Sequence, residues 1–222
     1  ESKRKGKNRS HYFNEEMSQQ LLNKQEKITD LHNALKNDEF TIYYQPIVNL
    51  QTNEVDKAEA LVRWQHPTKG LILPDDFLKT IEEESLMDEL GYWVANQVLS
   101  DRLKWHQHSP RNIEISINIS PSQFKSKDSL LLQWLSDFDK VSLPQNAIDK
   151  LSNDKSSYGL CKGIVTIAKE LNLLIVAEGV ETRTQHKLIT ELGCHYGQGY
   201  LYGKPMPSKV FTHKYINQYL AD

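Results

Sequence analysis

The stretch "AEALVRWQHP", residues 58–67, decides the fold. Its apolar residues mark a strand, yet it carries a carboxylate, Glu59, and a guanidinium, Arg63. In an extended chain Glu59, Leu61 and Arg63 share one face and Ala58, Ala60, Val62 and Trp64 the other. At ~3.3 Å per residue, Glu59 and Arg63 lie roughly 13 Å apart. That is too far for a salt bridge. It suits two separate tasks, one group on a metal and one on a phosphate.

The same alternation recurs in "IEISINIS", residues 113–120. Ile113, Ile115, Ile117 and Ile119 share one face, and Glu114, Ser116, Asn118 and Ser120 the other. Two readings stand: an edge strand with a wet face, or a barrel strand whose polar set lines the interior. In "LLIVAEG", residues 173–179, Glu178 follows an almost continuous apolar run. Residues at the carboxyl ends of strands are the catalytic ones in α/β barrels. Three strands thus deliver Glu59, Asn118 and Glu178 to one rim, and such oxygen donors suit Mg²⁺ or Mn²⁺.

Outward from these stretches, strands are predicted over 40–50 and 54–64. Helices are predicted over 75–90, 92–107, 128–138 and 156–171. A further helix is capped by Thr182 with Gln185 and stops at Gly193. Strands alternating with helices indicate a parallel sheet covered by helices. Ahead of them, residues 1–14 are basic and polar, with "HYF" read as a short extended piece. Residues 15–38 read as a helix whose Met17, Leu21, Ile28, Leu31 and Leu35 form a stripe interrupted by Lys24. The stripe is either the face by which the helix docks on its own domain or the seam of a signalling homodimer.

The bulk numbers bound the rest. The chain has 222 residues, a net charge of -2 and 25% charged residues, so it carries no electrostatic footprint for polymeric nucleic acid. No run approaches the ~20 apolar residues of a membrane span, and the start, "ESKRKGKNRS", is not a signal peptide. Two cysteines make no disulfide framework, so a cytoplasmic setting is expected, with any membrane tether outside this chain. The adjacent Cys194 and His195 have poor geometry for a shared zinc. His66 before Pro67 reads as a loop residue, and Trp93, Trp105 and Trp134 as core.

Five motifs, "YYQPIV", "EALVRWQHP", "INIS", "IVAEGVET" and "LGCHYGQGYLYGKPMP", occur in one order. Together they resemble the EAL-domain family of bacterial phosphodiesterases that hydrolyse cyclic di-GMP to linear pGpG. The resemblance runs from about residue 30 to the C-terminus. It implies a modified (β/α)8 TIM-like barrel with one reversed strand, preceded by a linker helix. It further implies two divalent metals, Mg²⁺ or Mn²⁺. Glu59, Asn118 and Glu178 match the metal ligands, and Gln45, Leu61 and Arg63 the nucleotide contacts. Gln198 matches a polar residue near the attacking water, and Glu181 a glutamate that holds an active-site loop. The opening "KGKNRSHYFNEEM" resembles the end of a GGDEF domain, so upstream GGDEF and sensor domains are expected partners in the same chain. The expected organisation is a GGDEF tail at 1–14, a linker helix at 15–38 and an EAL domain at 39–222.

One departure is large. The family carries "ELEITE", "DDFGTGYSS" and "LKIDRSFV" before "AEGVET", whereas this chain has only "SLPQNAIDKLSNDKSSYGL" there. Ile148-Asp149 is taken as a remnant of "KID", with Ala147 at its lysine, which puts a gap near 148–151. Either the segment is deleted, or the sequence closes over residues of a longer chain. One Glu, two adjacent Asp and a Lys of the family's site are therefore unassigned. The same family includes domains that have lost ligands and only bind cyclic di-GMP, so an inactive receptor is the second expectation.

Overall fold

The computed structural model describes residues 7–109, 112–118, 120, 140–143, 145–151 and 154–217. The chain divides into two compact units, residues 1–41 with 63–90, and residues 42–62 with 91–222. The divisions fall inside three continuous elements, β1 (Phe40–Asn49), β2 (Val55–His66) and α3 (Met87–His108).

The first unit contains α1 (Lys7–Lys36), β3 (Gly70–Ile72) and α2 (Pro74–Glu83) beside the starts of β1 and α3 and the end of β2. Helix α1 begins before residue 15 and takes in "HYF", which sequence reading made extended. Only the C-terminal half of its stripe is covered. Leu31 and Ala34 are fully buried, while Met17, Leu21 and Leu22 are exposed. The docked reading of the helix therefore holds for Leu31, which is unavailable to a seam. Asp38 takes a left-handed conformation (φ 53°) where the chain leaves α1. Pro74 opens α2 with a preset φ, and α2 buries Phe77, Thr80 and Ile81. Phe77 meets Phe40 at 5.6 Å and Trp64 edge-on at 6.0 Å. Burying a side chain of this size stabilises by about 1.5–3 kcal/mol. The Trp64 indole N–H donates to Glu39 at 3.0 Å. His66 ends β2 as a buried ring, 3.2 Å from Asp30, not as a loop residue.

The second unit holds the sheet that carries the site. Strand β4 (Glu114–Ile117) runs parallel to β2, with Glu59 opposite Ser116. Strand β1 lies beside β2 and pairs antiparallel with β7 (Tyr196–Gln198) and β8 (Met206–Pro207). Strand β6 (Leu174–Ala177) runs parallel to both β7 and β5 (Lys140–Leu143). The antiparallel β1 is the reversed strand that the resemblance implies. In "IEISINIS" Ile113 is buried and Glu114 and Asn118 are exposed, while Ile115, Ser116 and Ile117 are all half-buried.

Two buried layers back this sheet. Cys161, Val165 and Ala168 of α5 (Lys155–Glu170) pack with Ile175, Ala177, Ile189 and Leu192. Helix α5 starts at Asp154, whose carboxylate accepts from the N–H groups of Ser156 and Ser157. Helix α6 (Arg183–Leu192) has the expected capping box, Thr182 with Gln185, and ends at left-handed Gly193. The other layer is aromatic. Tyr44 meets Trp105 edge-on at 4.8 Å, Phe211 of α7 (Ser208–Phe211) stacks on Trp105 at 5.2 Å, and the Tyr44 hydroxyl donates to Asp101 at 3.0 Å. Trp93 is half-buried in α3. Trp134 and the helix expected over 128–138 lie outside the described residues.

Residues 145–149 form a short helix, α4. Ala147, Ile148 and Asp149 are thus helical, and Ile148 is fully buried in the core. The strand beside β6 is β5, which sequence reading missed: four residues are too few for periodicity to register. Among the described strands, β4 pairs only with β2 and β5 only with β6.

Candidate active site

Glu59 sits in β2 of the second unit, half-buried, where Asn118 just beyond β4 reaches it. The Asn118 amide Nδ2–H donates to Glu59 Oε1 at 2.6 Å. Gln198, at the end of β7, donates from Nε2 to Glu59 Oε2 and also to Gln45 Oε1 at 3.1 Å. Gln45, from β1, donates in turn to the carbonyl of Gly203 at 3.2 Å. Asn118 and Gln198 therefore donate to one carboxylate from two sides, while Gln45 accepts from Gln198 and donates away from Glu59 to the Gly203 carbonyl. Gln198 and Gln45 are themselves buried, so the amide geometry is held by packing. Hydrogen bonds to both of its oxygens fix the plane of the Glu59 carboxylate.

Glu178 arrives from the neighbouring strand. Its N–H donates to the Leu143 carbonyl of β5 at 2.9 Å, which extends the β5–β6 ladder by one residue. Gly179 follows with φ 73°. A Cβ there would fall 2.3 Å from the Gln145 side chain. Val180 N–H then bonds to the Gln198 carbonyl at 2.9 Å, and Leu201 N–H to the Val180 carbonyl at 3.0 Å. Those bonds bring the two backbones so close that a Cβ on Gly199 would lie 2.2 Å from Val180 N and O. Gly199, at φ 155°, is the residue that lets the Glu178 loop and the Gln198 strand meet.

Glu59, Glu178, Glu181, Gln45, Gln198 and Gln145 line one cleft of about 260 Å³, with Gly179, Gly199, Tyr200 and Pro205. Glu181 reaches this wall from a turn in which its own N–H and that of Thr182 both donate to Gln185 Oε1, at 2.9 and 2.8 Å. Of the residues expected from the sequence, Glu59, Asn118, Glu178, Gln198, Gln45 and Glu181 belong to one constellation. Leu61 is half-buried in β2 and is not a lining residue. Arg63 is buried further along β2, in the first unit. Gln145 and Tyr200 went unread. Gln145 lies in a segment without a motif, while Tyr200 lies inside the quoted "LGCHYGQGYLYGKPMP" without having been assigned a role.

The donor set fits a hard divalent cation. Glu59, Glu178 and the Asn118 carboxamide supply oxygen only, the choice of Mg²⁺ and Mn²⁺. Among the described residues no three His, Cys, Asp or Glu are placed to hold a metal ion by themselves. No helix among them is long and apolar enough to cross a membrane.

Comparison with known proteins bears on the family and the fold. The family model described as "EAL domain" matches residues 28–137 and 135–205. Cyclic di-GMP phosphodiesterase PdeR of Escherichia coli is 29% identical over 273 aligned residues, covering 96% of this chain and 41% of the relative. Bifunctional diguanylate cyclase/cyclic di-GMP phosphodiesterase MucR of Pseudomonas aeruginosa is 27% identical, covering 94% of this chain and 39% of the relative. The chain thus spans about two fifths of these relatives. The alignment to PdeR, at 273 residues, exceeds the 222 of this chain, so the relative carries residues that this chain lacks. Among solved structures, the EAL enzyme Bd1971 with cAMP and cyclic di-GMP bound superposes with a TM-score of 0.81 at 24% identity, covering 92% of this chain and 72% of that one. The PaMucR phosphodiesterase in complex with cyclic di-GMP gives a TM-score of 0.74 at 26% identity, covering 84% and 99%. A family match over most of its length, on a fold shared with solved EAL domains, places this chain in the EAL domain family.

Proposed function

We propose that this domain binds cyclic di-GMP in the Glu59–Glu178 cleft with Mg²⁺ or Mn²⁺ and hydrolyses it to linear pGpG. The observation that carries the reading is the convergence of Asn118 and Gln198 on the two oxygens of Glu59, with Glu178 on the same cleft wall. Glu59, Asn118 and Glu178 would hold the ion. When bound, such an ion supplies a Lewis acid at the phosphoryl oxygens and acidifies water to a nucleophile near neutral pH.

The protein's own groups do the rest. Gln198 and Asn118 hold the Glu59 carboxylate in one orientation, so no reorientation is needed when ligand arrives. The three glutamates of the cleft repel a phosphodiester, and none of its described lining residues is cationic. Nucleotide binding there is therefore coupled to the cation. Gln45 is the proposed nucleotide contact within the cleft. For Leu61 and Arg63 the support is the motif match, and Arg63 takes the role of a phosphate donor. Glu181 holds the loop that leads into α6.

A second reading, binding without hydrolysis, has its own support. β4 and β5 each have one strand neighbour among the described residues, and the two parts of the family match meet at 135–137. The segment that carries the family's two adjacent Asp would enter between those strands, upstream of β5. A domain without it has fewer acids for a second ion. Incubation with cyclic di-GMP and Mn²⁺, with products separated by chromatography, tests the two. Linear pGpG supports the hydrolase. Saturable binding without product supports the receptor, and neither binding nor product would reject both. Upstream GGDEF and sensor domains, and a cytoplasmic location, remain proposals from the resemblance.

A further inference from the structure

The second unit has another cleft at the opposite end of its strands. Leu174 opens β6 and Tyr196 opens β7, and with Leu50, just past the end of the antiparallel β1, they line a cavity of about 450 Å³. Glu178 and Gln198 stand at the far ends of the same two strands. The cavity is therefore separate from the Glu59–Glu178 cleft, about 13 Å away along β6. In α/β barrels the face at the strand starts ordinarily serves stability. Here it carries polar groups that the fold does not use. His195 is fixed by backbone: its N–H donates to the Ile175 carbonyl at 3.0 Å, its carbonyl accepts from the Leu50 N–H at 3.0 Å, and its ring Nδ1 accepts from the Ile175 N–H at 3.1 Å. The neutral ring thus carries its proton on Nε2, and no described residue accepts it. The half-buried Tyr196 ring is held by the Lys57 ammonium, 4.8 Å from its centre, and its hydroxyl has no described partner. Thr190 donates its hydroxyl proton to the His186 carbonyl at 2.8 Å, which leaves the oxygen as an acceptor. Gln51 brings an amide that both donates and accepts.

We propose that this cavity binds an uncharged heteroaromatic molecule of nucleobase or nucleoside size. None of its described lining residues is Asp, Glu, Lys or Arg. A charged ligand would lose its hydration there with no counter-charge to offset the loss. The volume falls within the roughly 300–1,000 Å³ of small-molecule sites. Leu50, Leu174 and the Tyr196 ring give apolar and aromatic surface for a flat ring. Around them stand donors at His195 and Tyr196, an acceptor at Thr190 and both kinds at Gln51. A molecular edge that bears donors and acceptors side by side, as a base or a primary carboxamide does, answers that set. An aliphatic ligand would leave those polar groups unmatched.

Calorimetry and ligand-observed NMR on the whole chain, with adenosine, cytidine and nicotinamide as probes, test this. At least one probe binds saturably with a Kd below about 1 mM. Its anionic counterpart, AMP, CMP or nicotinate, binds at least ten-fold more weakly. Thr190→Trp, at an exposed position on α6, fills the cavity. His195→Asn keeps an acceptor for the Ile175 N–H and loses the Nε2–H donor. Each weakens binding at least ten-fold while the melting temperature holds, and Glu59→Ala leaves binding unchanged. Should His195→Asn lose stability, Thr190→Trp beside Gln51→Ala decides, since both positions are exposed. No saturable binding of any probe overturns the proposal, as does an affinity unmoved by Thr190→Trp. Binding lost in Glu59→Ala also overturns it, because the ligand would then sit in the catalytic cleft, and so does equal affinity for the anion.

Discussion

Gln198 donates from a single nitrogen to both Glu59 Oε2 and Gln45 Oε1, so one amide ties the β2 carboxylate to β1 from the end of β7. The identity of residue 198 matters more than its size. A glutamate there would set two carboxylates side by side where a donor now stands. Gln198→Glu is expected to lower affinity for the divalent cation or the cation-dependent nucleotide complex by about 10–100-fold, the range for residues that orient metal ligands. Gln198→Ala is expected to be milder. Titration of Mn²⁺ by calorimetry checks both, and equal effects would mean that Gln198 acts by filling space.

Gly199→Ala is expected to destabilise the fold by more than ~2 kcal/mol, because its Cβ would press on the Val180 backbone and not on a movable side chain. Gly179→Ala meets the Gln145 side chain, Cγ at 2.3 Å and Cβ at 2.6 Å, at a φ of 73°, so it is expected to cost stability too, but less than a clash with backbone. Urea unfolding of the two variants ranks them. If Gly179→Ala proves the worse, the close approach of the Glu178 loop to β7 is not what holds that corner.

How much of this was legible beforehand is clear from particular residues. Alternation along "EALVRW" and "IEISINIS" gave two strands, because a strand leaves a period of two in its sequence, but the burial of Arg63 and the equal half-burial of Ile115, Ser116 and Ile117 did not follow from it. The capping box of Thr182 and Gln185 and the stop at Gly193 were local chemistry and were visible as such. β5 and α4 were not: four and five residues carry too little pattern to register. The cleft's Gln145 had no signal, since only the β5–β6 pairing brings it beside Gly179. Likewise, the apolar stripe of α1 did not say that Leu31 is covered within its own unit while Leu21 is bare.

Asp30 gives a pH test of the first unit. The Lys69 ammonium, and after it His66, hold its carboxyl below the ordinary carboxylate range. A lowered carboxyl stabilises the fold at pH values above its unfolded value, near ~3.9, and the gain disappears as pH falls through the folded value. Asp30→Asn is therefore expected to cost under ~1 kcal/mol at pH 7, as for a partly exposed pair. Near pH 2–3 the cost should vanish. Melting curves at the two pH values decide, and a cost that persists in acid would mean that packing, not charge, is at work.

Burial raises the thiols of both cysteines, that of Cys194 to about 12. Neither supplies a thiolate near neutral pH, and both lie in the core beside α5. Iodoacetamide at pH 8 is expected to leave Cys161 and Cys194 unlabelled in native protein and to label both in guanidinium. Rapid native labelling of either, read by mass spectrometry, would contradict their place in that core.

The central claim is that nucleotide enters the Glu59–Glu178 cleft only with a divalent cation. Equilibrium binding of fluorescent cyclic di-GMP to the intact chain in Mn²⁺ and in EDTA, beside Glu59→Ala in both, addresses it directly. The account predicts that EDTA and the substitution each weaken binding at least ten-fold, about 1.4 kcal/mol, and that together they do little more than either alone. Affinity unchanged by EDTA and by Glu59→Ala would contradict it.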